Sequence, residues 1–448
     1  MTDDPQHDRQ LAAVAAAVPP AVRRVCAELE AAGHQAVTVG GAVRDALLGR
    51  AAGDWDVASS ASPEEVMALF RRTVPTGIAH GTVTVLTGAR EVDHVEVTTY
   101  RGDGAYSDGR RPDTVHFGVP LEEDLARRDL VVNAMAYSPT QHRLIDPFGG
   151  RDDLARRRLR AVGVPLERFR EDGLRVMRAI RFAAALEFAL DAETEDAIVA
   201  ALPSLAKVSR ERITVELLKL LAAPRPSLGL AIAFRQQVMA QILPEVTAGL
   251  EAWGRTPREV CARVDAAEGS ARLGALVFDV AGPPGDSSAA GEPRGYRRAA
   301  QREAEAMLRR LKMKVSDCEI ASQAAAAAGA VALTPALDEA ELRAVLAAAG
   351  RRHAEAIVAC WRADGVARAS SGGAALAAAG AQILARGDAL AVGELAVTGG
   401  DLMKELGLAP GAQLGAILRE LLAHVLAHPG DNQRDALLAR ARRAAAPR

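Results

Sequence analysis

The segment VGGAVRDALLGRAAGDWDVAS, residues 39–59, constrains this chain most. Residues 36–39 read as a short strand that stops at Gly40-Gly41, and 42–48 read as a helix closed by Gly49. A strand, glycine turn and helix present backbone N–H groups and a positive helix end to phosphate. Arg44, one turn into that helix, reaches toward the same phosphates. Asp54 and Asp56 follow at short range. In an extended segment residues i and i+2 project from one side, so the two carboxylates share a face. An isolated Asp-x-Asp is more often a solvated turn; behind a phosphate-type turn it points to Mg²⁺. That ion takes oxygen ligands and completes its shell with substrate phosphates. Glu96, in HVEVTTYR, offers a third carboxylate, although strand alternation leaves its face open.

Short strands and helices alternate to about Gly150, and helical periodicity dominates beyond Asp152. The expected organisation is a flexible lead-in over 1–20, an α/β head over 21–150, and a helical neck over 151–220. A helical body over 221–330 and a helical tail over 331–448 complete it. The Gly/Pro/Ser-rich stretch 281–296 reads as a linker. The net charge is −2, so any nucleic-acid binding needs a local basic patch. Arg156, Arg157, Arg158 and Arg160 form one candidate, with a solvated face as the equal alternative. The four cysteines are far apart and form no Cys-x-x-Cys pair, which argues against a structural metal and fits a reducing cytoplasm. The polar start is not a signal peptide, and charge interrupts every apolar run before membrane-spanning length, so no membrane partner is expected.

GGAVRD followed by Asp-x-Asp resembles the class II tRNA nucleotidyltransferase and bacterial poly(A) polymerase family, within the DNA polymerase β nucleotidyltransferase superfamily. The resemblance implies an α/β head with a polymerase β-type nucleotidyltransferase fold, followed by an all-α neck, body and tail. EVTTYRGDGAYSDGRRPDTVHFG resembles the family's flexible loop, and its polar, Gly-rich composition suits a mobile lid. DLARRDLVVNAMAY resembles the second motif, which implies ribose and triphosphate contacts from Arg128, Asp129 and Asn133. The bland alternative there is one amphipathic helix.

ERFREDGLRVMRAIRFAAALEF, residues 167–188, is the most informative stretch. On a helix Asp172 and Arg175 are i, i+3 neighbours, and Arg178 and Arg181 continue the spacing. An acceptor beside donors matches cytosine and adenine, which both carry an amino donor next to a ring-nitrogen acceptor. Uracil and guanine reverse the pattern and leave mismatched polar groups. This resembles the family's protein template. Alone, the same pattern reads as a surface helix laced with salt bridges. In KVSRERITVELLKLL, Ser209, Arg212 and Glu216 are expected only to cap and brace helices.

LGALVFDVAG has the look of an HD-type metal helix with Phe278 in the histidine position, so Asp279 is expected to belong to a core helix. The last segment, from VTGGDLMKELGL onward, resembles the tRNA-docking tail, with Thr398 capping a helix and Gly407 and Gly411 breaking it. The resemblance is weakest over 250–390. It implies addition of C, C and A to tRNA 3′ ends from CTP and ATP. CC-only members lack the loop that this chain retains. A-only addition, poly(A) synthesis and a catalytically inactive tRNA-binding protein stay as alternatives.

Overall fold

The computed structural model describes residues 5–104, 115–283, 292–333 and 337–445. The centre of the expected flexible loop (105–114) and half of the expected linker (284–291) lie outside the described residues. The chain divides into two compact units, Met1–Glu216 and Leu217–Arg448.

The first unit opens with α1 (Pro5–Ala17) and α2 (Pro20–Ala31). The lead-in expected to be flexible is therefore helical from Pro5. Its alanine-rich sequence favours a helix, and Val14 and Val18 are buried, which fixes it. Then come β1 (Ala36–Val39), α3 (Gly41–Leu47), β2 (Asp56–Ser59) and α4 (Pro63–Leu69). Helix α4 starts on a reciprocal cap: Glu65 N–H donates to the Ser62 hydroxyl, and Ser62 N–H donates to the Glu65 carboxylate. β3 (Thr73–Gly77), β4 (Thr82–Leu86) and β5 (His94–Thr99) follow. A small ribbon pairs β6 (Arg101–Asp103) with β7 (Val115–Phe117).

After α5 (Leu121–Ala126), β8 (Ala136–Ser138) and β9 (Arg143–Ile145) complete a seven-stranded sheet of order β3-β4-β5-β2-β1-β8-β9. One face buries Val37, Val39, Ala58, Tyr100, Leu125 and Val131. Residues 120–138 run as a short helix, a 3₁₀ turn at Val131–Asn133 and a strand, so the single-helix alternative for that motif fails.

Beyond α6 (Gly150–Ala155), β10 (Arg158–Leu159) pairs with β11 (Ala189–Leu190). Between these two strands lie α7 (Pro165–Glu171) and α8 (Leu174–Leu186), and α9 (Ala192–Ala206) and α10 (Arg210–Leu221) come after them. Asp172 and Gly173 separate α7 from α8, which corrects the expectation of one helix through Asp172 and Arg175. The break has a packing cause. A Cβ on Gly173 would sit 2.4 Å from the Ser204 carbonyl, so the α9 backbone presses directly on this position.

The second unit is helical throughout its described residues. Its centre buries Phe278 and Trp361 together with four charges. Arg263 donates to Asp279 and, at 2.8 Å, to Asp364; Arg255 lies 2.6 Å from both carboxylates. Asp279 thus sits in a buried ion cluster, in the turn that follows the helix Ala271–Val277 and not within the core helix expected for it. In the last segment the Thr398 hydroxyl accepts from Asp401 N–H and caps Gly399–Leu406. Gly407, at φ +64°, ends that helix, and Gly411 precedes Ala412–Ala427. Among the described residues no helix is long and apolar enough to cross a membrane.

Candidate active site

Strand register builds the site. In β1 and β2 Val39 pairs with Asp56, and in β2 and β5 Asp56 pairs with Glu96. Residues directly opposite on neighbouring strands point to the same face. Glu96 therefore joins Asp56, and both are exposed while Val57 and Val97 turn inward to the core. Asp54, two residues before Asp56, lines the same cleft of about 540 Å³. The tip of the β4–β5 hairpin forms its far wall through Arg90, Asp93 and His94.

Asp56 opens to solvent at the cleft yet is crowded from below. Burial and the Glu96 charge, with Asp54 adding to them, push its carboxyl up to about 6 against a pull from Arg128. Among the described residues Asp54, Asp56 and Glu96 have no ion-pair partner, and no three His, Cys, Asp or Glu side chains converge into a ready metal cage. Two adjacent hard-oxygen donors with unbalanced negative charge fit a divalent cation whose shell substrate phosphates complete.

The glycine turn follows Val39, the β1 partner of Asp56. Gly40 has φ +78°, and a Cβ there would lie 2.9 Å from Arg128 Nη1. The backbone conformation thus favours glycine, and the Arg128 guanidinium packs directly over it. Arg128 lies 3.5 Å from Asp124, and its Nε has no acceptor among the described residues. That leaves donor capacity beside the N–H groups of the turn.

Arg44 is less free than its position in sequence suggests. Its Nε and Nη2 grip Asp45 at 2.9 Å, and its Nη1 donates to Asn133 Oδ1 at 2.5 Å. Asn133 in turn donates to Asp129 at 3.1 Å, and Asp129 accepts from Arg178 Nε at 2.7 Å. Burial alone would raise the Asp129 carboxyl. The Arg178 charge and hydrogen bonds from Asn133, Arg178 and Leu130 N–H outweigh it and hold it at about 2. One buried chain of polar groups thus joins the glycine turn to α8.

Asp172 and Arg175 are brought close, but each already has a partner. Arg212 clasps Asp172 with two bonds, 2.6 and 3.2 Å long, and Leu174 N–H adds a third at 3.0 Å. Arg175 donates to Glu171, to the Arg168 carbonyl at 3.1 Å and to the Arg127 carbonyl at 2.9 Å. Arg181 donates to Glu216 at 2.6 Å.

Two features escaped the sequence reading. Arg212 and Glu216, expected only to brace, hold the proposed template residues directly. Phe182 is the shared platform of Arg44, Arg178 and Arg181, whose guanidinium carbons lie 5.1, 5.6 and 3.8 Å from its ring centre. The i, i+4 spacing of Arg178 and Phe182 carried that signal. The basic run fares differently. Arg158 and Arg160 both close on the buried Asp153, at 2.7 and 2.9 Å, so this pair is tied to the fold and forms neither a free basic patch nor a simply solvated face, the two alternatives the sequence left equal.

Paired carboxylates at the start of a central strand, beside a glycine phosphate turn, define a nucleotidyltransferase head. Residues 36–160 match the profile "Poly A polymerase head domain", 187–250 one described as a "probable RNA and SrmB-binding site of polymerase A", and 300–441 that of tRNA nucleotidyltransferase domain 2. The CCA-adding enzyme of Geobacillus kaustophilus is 52% identical over 197 residues, 44% of this chain and 48% of that enzyme. That of Anoxybacillus flavithermus is 46% identical over 245 residues, 55% of this chain and 60% of that enzyme. The matched stretch thus spans about half the length of such curated relatives. The crystal structure of the Bacillus stearothermophilus CCA-adding enzyme in complex with CTP superposes with a TM-score of 0.69 at 31% identity. It covers 95% of this chain and 97% of that one. The chain belongs to the class II CCA-adding enzyme family. Nucleotidyltransferases of this family use a divalent metal.

Proposed function

We propose that this chain adds C, C and A in turn to tRNA 3′ ends from CTP and ATP, releasing pyrophosphate, and works in the cytoplasm. The observation that carries the reading is the start of the central strand β2, where Asp54, Asp56 and Glu96 lie beside the Gly40-Gly41 turn and Arg128. Asp54 and Asp56 hold Mg²⁺, with Glu96 as a third carboxylate beside them. The bound metal lowers the barrier to attack of the RNA 3′-hydroxyl on the α-phosphate by neutralising phosphate charge. The turn and Arg128 hold the triphosphate, and Arg44 fixes the turn from beneath. Asp129 and Asn133 orient the ribose. Asp172, steadied by Arg212, accepts from the base amino group and Arg175 donates to the ring nitrogen, while Arg178 and Arg181 support them. Catalysis in this scheme is positioning and charge neutralisation. The head and neck (21–150 and 151–220) do the chemistry; the body and tail (221–330 and 331–448) hold the tRNA.

The test uses one tRNA ending without a tail, with C, and with CC. Each is incubated with Mg²⁺ and single or mixed nucleotides, and product length is read to one nucleotide. Stepwise addition of C, C and A that then stops is the expected result. Addition of A only to the CC-ended RNA would make it an A-adding specialist. Open-ended A tracts would make it a poly(A) polymerase, and no incorporation would leave a tRNA-binding protein.

A further inference from the structure

We propose that Arg90, at the tip of the hairpin between β4 and β5, binds the sugar-phosphate backbone of the RNA end that receives the nucleotide. The inference rests on the reaction proposed above. Strand order carries it. β2 lies between β1 and β5, so Asp56 is flanked by the glycine turn on one side and by Glu96 on the other. In-line displacement puts the attacking oxygen and the leaving pyrophosphate on opposite sides of the α-phosphorus. The cationic cradle, Gly40 with Arg128, draws the pyrophosphate to the β1 side. The attacking hydroxyl then arrives from the β5 side, and the strand that delivers it passes the hairpin tip.

That approach is lined by carboxylates: Glu91, Asp93 and Glu96 on the hairpin, with Asp54 and Asp56 opposite. A polyanion entering there needs a cation. His94 is committed to Asp93 at 2.5 Å. Arg90 lines the cleft, is exposed, and makes no hydrogen bond or ion pair with any described residue, although Glu91 is its neighbour and Asp93 is close in sequence. The tip is braced: Thr87 N–H donates to the Asp93 carbonyl at 2.9 Å, and the Thr87 hydroxyl donates to the Val92 carbonyl and accepts from Ala89 N–H at 3.1 Å. An ordered tip thus presents an uncommitted guanidinium where RNA must pass.

The experiment measures A addition to CC-ended tRNA by wild type, Arg90→Ala and Arg90→Lys. Arg90→Ala is expected to raise KM for RNA about 3- to 10-fold, as loss of one charged contact does. KM for ATP and kcat at saturating RNA should shift less than about twofold, because no phosphate of the nucleotide reaches the tip. The plot of log(kcat/KM) against log salt should become shallower by about 0.7–0.9. Arg90→Lys should keep most of the RNA affinity, since an exposed point charge suffices. A rise in KM for ATP alone would place Arg90 on the triphosphate side and overturn the proposal, as would no change in any constant. If wild type incorporates nothing, the reaction proposed above fails first. RNA titration of wild type and Arg90→Ala then decides this point: a weaker Kd supports it and equal values overturn it.

Discussion

Asp54, Asp56 and Glu96 share one cleft without an ion-pair partner among the described residues, and the structure bears that cost at the start of its central strand β2. Such crowding is what function asks for and folding does not. Asp56→Asn should therefore lower kcat by at least about 10³-fold, because a group that acts on the transition state is lost. The same change should raise Tm, by about 1–3 °C, because a repelled charge is removed at a partly solvated site. Activity assays with thermal melts check both signs, and retained activity or a lower Tm would sink the assignment. These residues were legible because strand period and turn chemistry are local. The face of Glu96 was not, since it depends on which strand pairs with which. Register with Asp56 resolves it.

At the scale of elements, the links between strands, turns and helices were the least legible part. Asp172 was read as helical because its spacing to Arg175 fits, yet close packing at Gly173 ends the helix and turns the carboxylate toward α10. Arg212 then holds the carboxylate through a two-bonded fork, a geometry that lysine cannot reproduce. Arg212→Lys and Arg212→Ala should both erode discrimination of CTP and ATP over UTP and GTP, by about tenfold in relative kcat/KM. Unchanged discrimination would mean that Asp172 needs no such support. The Asp129–Arg178 bond links the 120–138 segment to α8 and carries its own signature in pH. Asp129 has its folded value near 2, below the usual 3.8. The unfolded chain therefore binds the proton first as pH falls. The pair's contribution, about 2 kcal/mol, is complete above pH 4 and is lost as pH falls through about 2. Denaturant melts at pH 5, 3 and 2 should show wild type losing that margin and Asp129→Asn, already without it, losing less.

Across the whole chain, legibility followed sequence distance. The glycine turn and Asp-x-Asp lie within twenty residues, and their strands and helices form as their periodicity predicts. The second unit's polar centre offered no comparable clue. Arg263 and Asp364 stand 101 positions apart, and nothing local announces that this helix arginine will be buried against that carboxylate. The Phe in place of a histidine at 278 gave only the negative half of the reading, that this helix serves a core. The positive half is Phe278 lying under Arg263, whose guanidinium carbon is 4.9 Å from the ring centre.

That cluster makes a demand of its own. Arg263 is wholly buried and donates to Asp279, Asp364 and the Ala275 carbonyl, so it compensates two carboxylates that have no access to water. Replacing the whole cluster with apolar groups can be neutral, but removing one member strands the others. Arg263→Ala leaves Arg255, with the half-exposed Arg368 3.8 Å from Asp364, to balance Asp279 and Asp364 and opens a cavity as well. The expected loss is about 3–5 kcal/mol in denaturant melts. Adding Asp279→Asn to Arg263→Ala should recover part of that loss by removing one stranded charge, a coupling that a double-mutant cycle measures. Strict additivity, or a loss below about 1 kcal/mol, would mean that water reaches these carboxylates and that the cluster does not hold the second unit's core.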